Sequence, residues 1–261
     1  MRYALIIEYQ GTQYHGWQKQ PGIITVQETL ETALSRVAAH EVKTFCAGRT
    51  DAGVHATAQV VHFDSDANRQ PRHWLYGTNS YLPTDIRVRA GLQVSDNFHA
   101  RFSALARRYV YIIHQGAFPS ALFYQHLYWY PQPLNIEPMQ LAASYLIGQH
   151  DFSAFRSSEC QAYSPIRTMM HSHVWTQNEF VIFEFYANAF LHHMVRYLVG
   201  HLIEIGLDHK PPSWLKEVLE NKMRQDQACT APPQGLYLVE VQYDDSAQLT
   251  QTLRWPWLIH Q

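Results

Sequence analysis

The stretch Cys46-Ala47-Gly48-Arg49-Thr50-Asp51-Ala52-Gly53-Val54-His55-Ala56 sets one cation, one hydroxyl and one carboxylate between two glycines. Glycine permits positive φ and a close approach of backbone to ligand, which a tight reactive loop requires. An arginine two residues before an aspartate can hold that carboxylate ionised, available as a nucleophile or a base. The same residue types also build ordinary turns, and a connecting loop in which Asp51 caps a turn accounts equally well for the pattern. The chemistry therefore depends on the elements that hold this loop.

Those elements can be read from hydrophobic spacing. Residues 3–9, YALIIEY, form a β-branched-rich strand, and Gly11 to Gln20 a loop. From Thr25 the spacing is helical, with Val26, Leu30, Ala33, Leu34 and Val37 on one face. Polar Gln27, Glu28, Glu31 and Arg36 lie opposite, and Thr25 with Glu28 matches a capping box. Strands over Val42–Cys46 and Ala56–Phe63 flank the reactive loop. A helix follows at Arg72–Asn79, then strands at Ile86–Gln93 and Arg108–His114. In the second half, helices are expected at Ile136–Ile147, from about Leu191 to Ile205, and at 213–223. Strands are expected at His171–Gln177, Phe180–Ala187 and Gly235–Tyr243. Irregular alternation of this kind, without a GxGxxG or Walker pattern, points to α+β with mainly antiparallel sheets. We expect two units, 1–105 carrying the loop and 106–261.

The 261 residues are 46% apolar, enough for a sizeable core, and 20 Lys and Arg against 22 Asp and Glu give a net charge of −2. That excludes basic tails but not a basic groove. Residues 1–114 carry 12 basic and 9 acidic side chains, a net +3, whereas residues 115–261 carry 8 and 13, a net −5. Arg87, Arg89, Arg101, Arg107 and Arg108 are opposed only by Asp96 over 86–114. With Phe98 and Phe102, Arg101 on a strand could touch phosphate and base, although a solvated strand edge has the same composition. Cys46, Cys160 and Cys229 show no CxxC spacing, which argues against a disulfide framework and a structural zinc. The N-terminal apolar run ends at Glu8, too soon for a signal peptide, and no window suits a membrane span. A soluble cytoplasmic protein is expected. His171 and His173 face one side of a strand but lack a partner at metal-ligand spacing, so they read as core or surface histidines. His192-His193 reads as packing, and the aromatic run FYQHLYWYP at 123–131 as core or dimer interface.

CAGRTDAGVHATAQVVHF at 46–63 resembles the active-site segment of the tRNA pseudouridine synthase A family. The resemblance extends in order through YHGWQKQPGIITVQETLETAL at 14–34, FHARFSALARRYVYII at 98–113 and DFSAFR at 151–156. It continues through NAFLHHMVRYLVGHLIEIG at 188–206 and APPQGLYLVEVQY at 231–243. The resemblance implies two similar subdomains whose sheets join into one, with an active-site cleft between them. It implies isomerisation of uridine to pseudouridine at positions 38, 39 and 40 of the tRNA anticodon stem-loop, by a homodimer.

By position, the resemblance makes Asp51 the catalytic nucleophile and Arg49 a residue that pairs with it and helps flip the uridine. It makes Tyr109 the tyrosine packed on the target base, Arg196 an active-site arginine pairing with the carboxylate, and Leu236 part of the uracil pocket. It also favours RNA contact for Arg101 and Arg69, and places a site-selecting loop at Glu159–Tyr163. Uridine and pseudouridine are isomers, so no cofactor and no metal is expected. The carboxylate could attack the sugar or the base. Extruding the uridine costs a few kcal/mol, which aromatic stacking of ~1–3 kcal/mol per base partly offsets. Two other classes fit some of these residues. One is an RNA-binding module without chemistry; the other is a nucleoside glycosidase, for which Asp51 lacks the usual second carboxylate.

Overall fold

The computed structural model describes residues 1–223, 229–249, 253–256 and 259. Two compact units emerge, Met1–Leu105 with Tyr237–Gln261, and Ala106–Leu236. Each is α+β with a mostly antiparallel sheet. The C-terminal residues thus group with the first unit, not with the second as the span 106–261 expected. The reason is strand pairing: the strand Leu236–Gln242 runs parallel to His55–Asp64, with Tyr237 opposite His55 and Leu238 opposite Ala56.

The first unit contains β1 (Arg2–Tyr9), α1 (Val26–Ala38), β2 (Phe45–Cys46), β3 (His55–Asp64), α2 (Pro71–Tyr81) and β4 (Ile86–Val94). β1 is central, antiparallel to β3 on one side and β4 on the other. Its near-continuous apolar run is what a strand covered on both faces needs, and Tyr3 through Ile7 are all buried. Trp74 of α2 closes on Tyr3 and Phe63, at ring distances of 5.3 and 4.9 Å. Thr25 caps α1 as expected, its side chain accepting the Glu28 N–H.

Two expectations fail here for one reason. Glu31 is buried, not on the solvent face of α1. Its Oε1 accepts the Thr44 N–H at 2.8 Å, the Thr44 hydroxyl at 3.1 Å and the Gln27 amide at 3.0 Å. The strand expected over Val42–Cys46 shortens to Phe45–Cys46 because its donors go elsewhere. The Val42 N–H is taken by Ser35 Oγ at 2.9 Å and the Thr44 N–H by Glu31. Helix side chains replace ladder partners, and both of these donors stay satisfied.

His62 on β3 is buried, and its Nδ1 accepts the Ala100 N–H at 3.1 Å. Burial, then the neighbouring His99 and Arg2, pushes its pKa down to about 4. The unfolded chain binds the proton near pH ~6.5. Its stabilising contribution is therefore complete above that pH and is lost as pH falls towards 4, by about 1–2 kcal/mol after allowing for solvent screening. Urea unfolding at pH 7 and pH 4.5 should show this loss, with a shallower dependence in His62→Gln. Equal dependence in the two proteins would remove His62 as its source.

The second unit contains β5 (Ala106–Gln115), β6 (Tyr128–Tyr130), α3 (Ile136–Ser144), β7 (Gly148–Asp151), β8 (Ile166–Gln177), β9 (Phe180–Ala187), α4 (Met194–Gly206) and α5 (Ser213–Asn221). β5, β9, β8 and β7 pair antiparallel in that order. β6, drawn from the aromatic run, adds in parallel to the end of β5, with Ile113 opposite Tyr128. α4 starts at Met194, later than the expected Leu191, because His193 adopts a left-handed φ of 63°. Burial surrounds the helix, reaching Tyr197, Gly200 and His201 as well as the Met194, Leu198, Leu202 stripe. A helix apolar on all sides belongs inside its unit. Among the described residues no helix is long and apolar enough to cross a membrane.

Candidate active site

The loop between β2 and β3 is held by a second loop that follows β1. The Tyr9 hydroxyl lies 2.7 Å from Thr50 Oγ1, and the Trp17 N–H donates to the Thr50 carbonyl at 2.9 Å. The Gly53 N–H donates to the Tyr14 carbonyl, and the Gly11 N–H to His55 Nδ1 at 3.0 Å. Gln59 of β3 turns back to donate to the Gly48 carbonyl at 2.6 Å. The His55 ring stacks on Tyr237 at 4.8 Å, and Tyr14 donates to Asp85 at 2.8 Å. Burial and Asp85 together push the Tyr14 phenol pKa up, so it stays a donor.

This pinning has a chemical consequence. Thr50 and Val54 are buried, while Asp51 between them is half-exposed. The Val54 N–H closes a turn onto the Asp51 carbonyl at 3.1 Å, with Gly53 at φ 79°. Asp51 therefore sits on a turn whose two ends are fixed in the core, with the residue itself only partly buried. Such preorganisation is what a nucleophile or base needs. Tyr9→Phe removes the Thr50 partner and should lower stability by about 1 kcal/mol. Thermal unfolding would measure it, with faster amide exchange at Thr50–Gly53 as the local signature.

Arg49 is exposed and forms no ion pair or hydrogen bond among the described residues, so the expected pairing with Asp51 is not made in this structure. Tyr109 on β5 is buried, edge-on to Phe190 at 4.9 Å. Arg196 on α4 is half-buried, with its Nε donating to the Ala231 carbonyl at 2.7 Å and its carbonyl accepting the Ala231 N–H. The segment beyond Ala231 is fixed by the Tyr111 hydroxyl, which donates to the Pro232 carbonyl at 2.8 Å, and leads into buried Leu236. Arg196 and Leu236 thus flank one rigid segment of the second unit.

The basic cluster is smaller than expected. Arg107 is buried and donates to the Asn188 carbonyl; Arg108 pairs with Glu184 and covers the Tyr186 ring at 4.2 Å. Arg87 bonds the Ile86 carbonyl, and Arg89 pairs with Glu8 at 3.5 Å. Arg101 is exposed, but on a turn, not a strand, with its guanidinium 5.6 Å from the ring of Phe102. Phe98 is buried, so of these two phenylalanines it is Phe102 that presents its ring. Arg69 is exposed, with its Nε donating weakly to the Val37 carbonyl. His171 pairs with Glu184 at 3.3 Å. The residues that sequence reasoning missed are Tyr9, Gly11, Gly16 and Trp17. Tyr9 ends the strand read at 3–9 and Gly11 opens the stretch read as a loop, while Gly16 and Trp17 fall in the 14–34 motif of the resemblance, which gave them no role.

Comparison with known proteins bears on this arrangement. A family model described as tRNA pseudouridine synthase matches residues 5–103 and 142–244, which hold Asp51, Arg196 and Leu236 but not Tyr109. The tRNA pseudouridine synthase A of Alcanivorax borkumensis is 53% identical over 245 residues, covering 94% of this chain and 92% of that protein. Those of Photobacterium profundum (52%, covering 94% of each chain) and Glaesserella parasuis (49%, covering 96% of each) are similar to the same extent. With a match across both units and relatives about half identical along nearly their whole lengths, this chain belongs to the tRNA pseudouridine synthase family.

Proposed function

We propose that this protein isomerises uridine to pseudouridine at positions 38, 39 and 40 of the tRNA anticodon stem-loop, with Asp51 as catalytic nucleophile. That it is an isomerase acting on tRNA uridine follows from its family. The finer reading rests on one observation, the half-exposed Asp51 carboxylate on a turn anchored at both ends by buried Thr50 and Val54. The reaction breaks the N1–C1′ bond, turns the uracil and joins C5 to C1′; the proton leaves C5 and N1 gains one. The uridine is unstacked to reach the carboxylate. The proposal gives Tyr109 the base face, Leu236 the uracil edge, Arg196 and Arg49 the charges around the carboxylate, and Arg101 and Arg69 backbone contacts. It includes a cytoplasmic homodimer, testable by sedimentation of the purified protein.

The purified protein should release tritium from tRNA carrying 5-tritiated uridine, one per pseudouridine formed at positions 38–40. Free uracil in place of pseudouridine would make it a glycosidase. Salt-sensitive binding with no tritium released would make it a binding module.

A further inference from the structure

We propose that the groove between α1 and α2 is a second RNA-binding site, one that grips the sugar-phosphate backbone of tRNA away from the reacting nucleotide. The inference rests on the family's substrate being tRNA. The groove is open, about 580 Å³, and lined by Arg36, Arg69, Arg72, His73, Tyr76 and Tyr81. Gly77 of α2 packs against the Val37 side chain of α1, where a Cβ would come within 3.1 Å of a methyl carbon. That close approach brings the arginines of two helices and their preceding loop to one concavity.

The charge pattern is what identifies the occupant. Arg36, Arg69 and Arg72 are exposed and make no ion pair among the described residues, and no carboxylate lines the groove. Elsewhere on the same unit Arg2 pairs with Asp64 and Arg89 with Glu8. Three neighbouring guanidinium groups without acidic partners repel one another, and the repulsion is relieved by an anion that spans them. Each guanidinium presents the planar fork that binds phosphate. His73 Nδ1 accepts the Gln70 N–H at 3.2 Å, so the neutral ring carries its proton on Nε2, a further donor. Tyr76 is 72% exposed, and Tyr81, half-exposed under Arg36 at 5.3 Å, is held in place. Exposed aromatic faces among arginines suit ribose and base as well as phosphate. A phosphodiester chain meets all of these groups at once, whereas a single small anion would leave most of them unused.

The test is the double variant Arg36→Gln, Arg72→Gln, with Lys210→Gln, Lys216→Gln on the second unit as a control for total charge. Each phosphate contact removed should lower the slope of log Kd against log salt by about 0.9, so the groove variant should lose nearly 2. Its tRNA Kd and KM should rise on the order of tenfold, with the loss in KM and not in kcat. The control pair should keep the wild-type slope. Both substituted arginines are exposed, and an unchanged melting temperature confirms the fold. If the groove variant keeps the wild-type Kd and slope while the wild-type protein forms pseudouridine, the groove is not an RNA site and the proposed function stands. If the control pair loses as much slope as the groove pair, the effect is the general field of the protein and the inference fails. A wild-type protein that binds tRNA with this slope but forms no pseudouridine overturns the proposed function alone.

Discussion

Asp51→Asn is expected to abolish tritium release from 5-tritiated tRNA, by roughly 10⁴-fold or more, while tRNA binding stays near the wild-type value. The substitution keeps the shape of the side chain and removes its charge. Because C5 must lose its hydrogen in any route from N1 to C5 linkage, the assay reads the isomerisation whether attack falls on sugar or base. The fold should survive, since the turn is anchored through Thr50, Gly53 and Val54, whose bonds the substitution leaves in place. A melting temperature within ~2 °C of wild type is the corresponding control. Asp51→Ala should behave alike. Single-turnover measurement is the clean form, because slow product release cannot mask a slowed chemical step. Pseudouridine forming in either variant at a few per cent of the wild-type rate would end the role given to Asp51.

Gly11→Ala should be the most damaging substitution outside the reactive turn. A Cβ there would stand 1.9 Å from the Val54 carbonyl oxygen and 2.6 Å from its carbon, both backbone atoms that cannot rotate away. The two loops would have to separate, breaking the Gly11 N–H bond to His55 and shifting the residue three positions after Asp51. The expected cost is about 3 kcal/mol of stability, at the upper end for overpacking. Activity should fall further than stability accounts for, because a carboxylate displaced by ~1 Å can lose about 10²-fold in rate. Gly16→Ala should act similarly, being at φ +83° with its Cβ 2.8 Å from the Thr50 carbonyl. Gly22 gives the contrast. It too has positive φ, but nothing lies within 4 Å of its Cβ position, so Gly22→Ala should cost only ~1 kcal/mol and leave activity intact. Urea midpoints with single-turnover rates on the three variants would separate a general glycine effect from a specific loop contact. Similar losses for Gly11→Ala and Gly22→Ala would refute the anchoring role.

Much of this protein was readable locally. The helices at Val26–Ala38 and Pro71–Tyr81 and the strands β1, β3, β4, β5 and β9 follow from periodicity and punctuation. So does the α+β class. The turn around Asp51 announced itself by composition, and the ordered motifs identified the family to which the comparisons assign the chain. Local pattern failed where one element's side chain answered another's backbone. Glu31 looked solvent-facing by helical spacing, yet the amide of Thr44 needed an acceptor and buried it. Arg107 and Arg108 looked available for RNA, yet Asn188 and Glu184 use them. β6 and β7 span three and four residues, too short for a period to register.

The sequence by itself determined which residue types could do chemistry, because identity and spacing are properties of the chain alone. It thus determined the Gly48–Gly53 turn, its carboxylate and the family resemblance. Only the tertiary structure decided which charges are already spent and what holds the turn. Tyr9, Gly11, Tyr14 and Trp17 lie about forty residues before Thr50–His55, and only folding brings their donors and acceptors to those of the turn. Likewise, whether an arginine is free depends on carboxylates distant in sequence. Arg108 meets Glu184 across a strand pair, whereas Arg36 and Arg72 meet none among the described residues. Hydrogen bonds and ion pairs act over a few ångströms, and such distances exist only once the chain has folded.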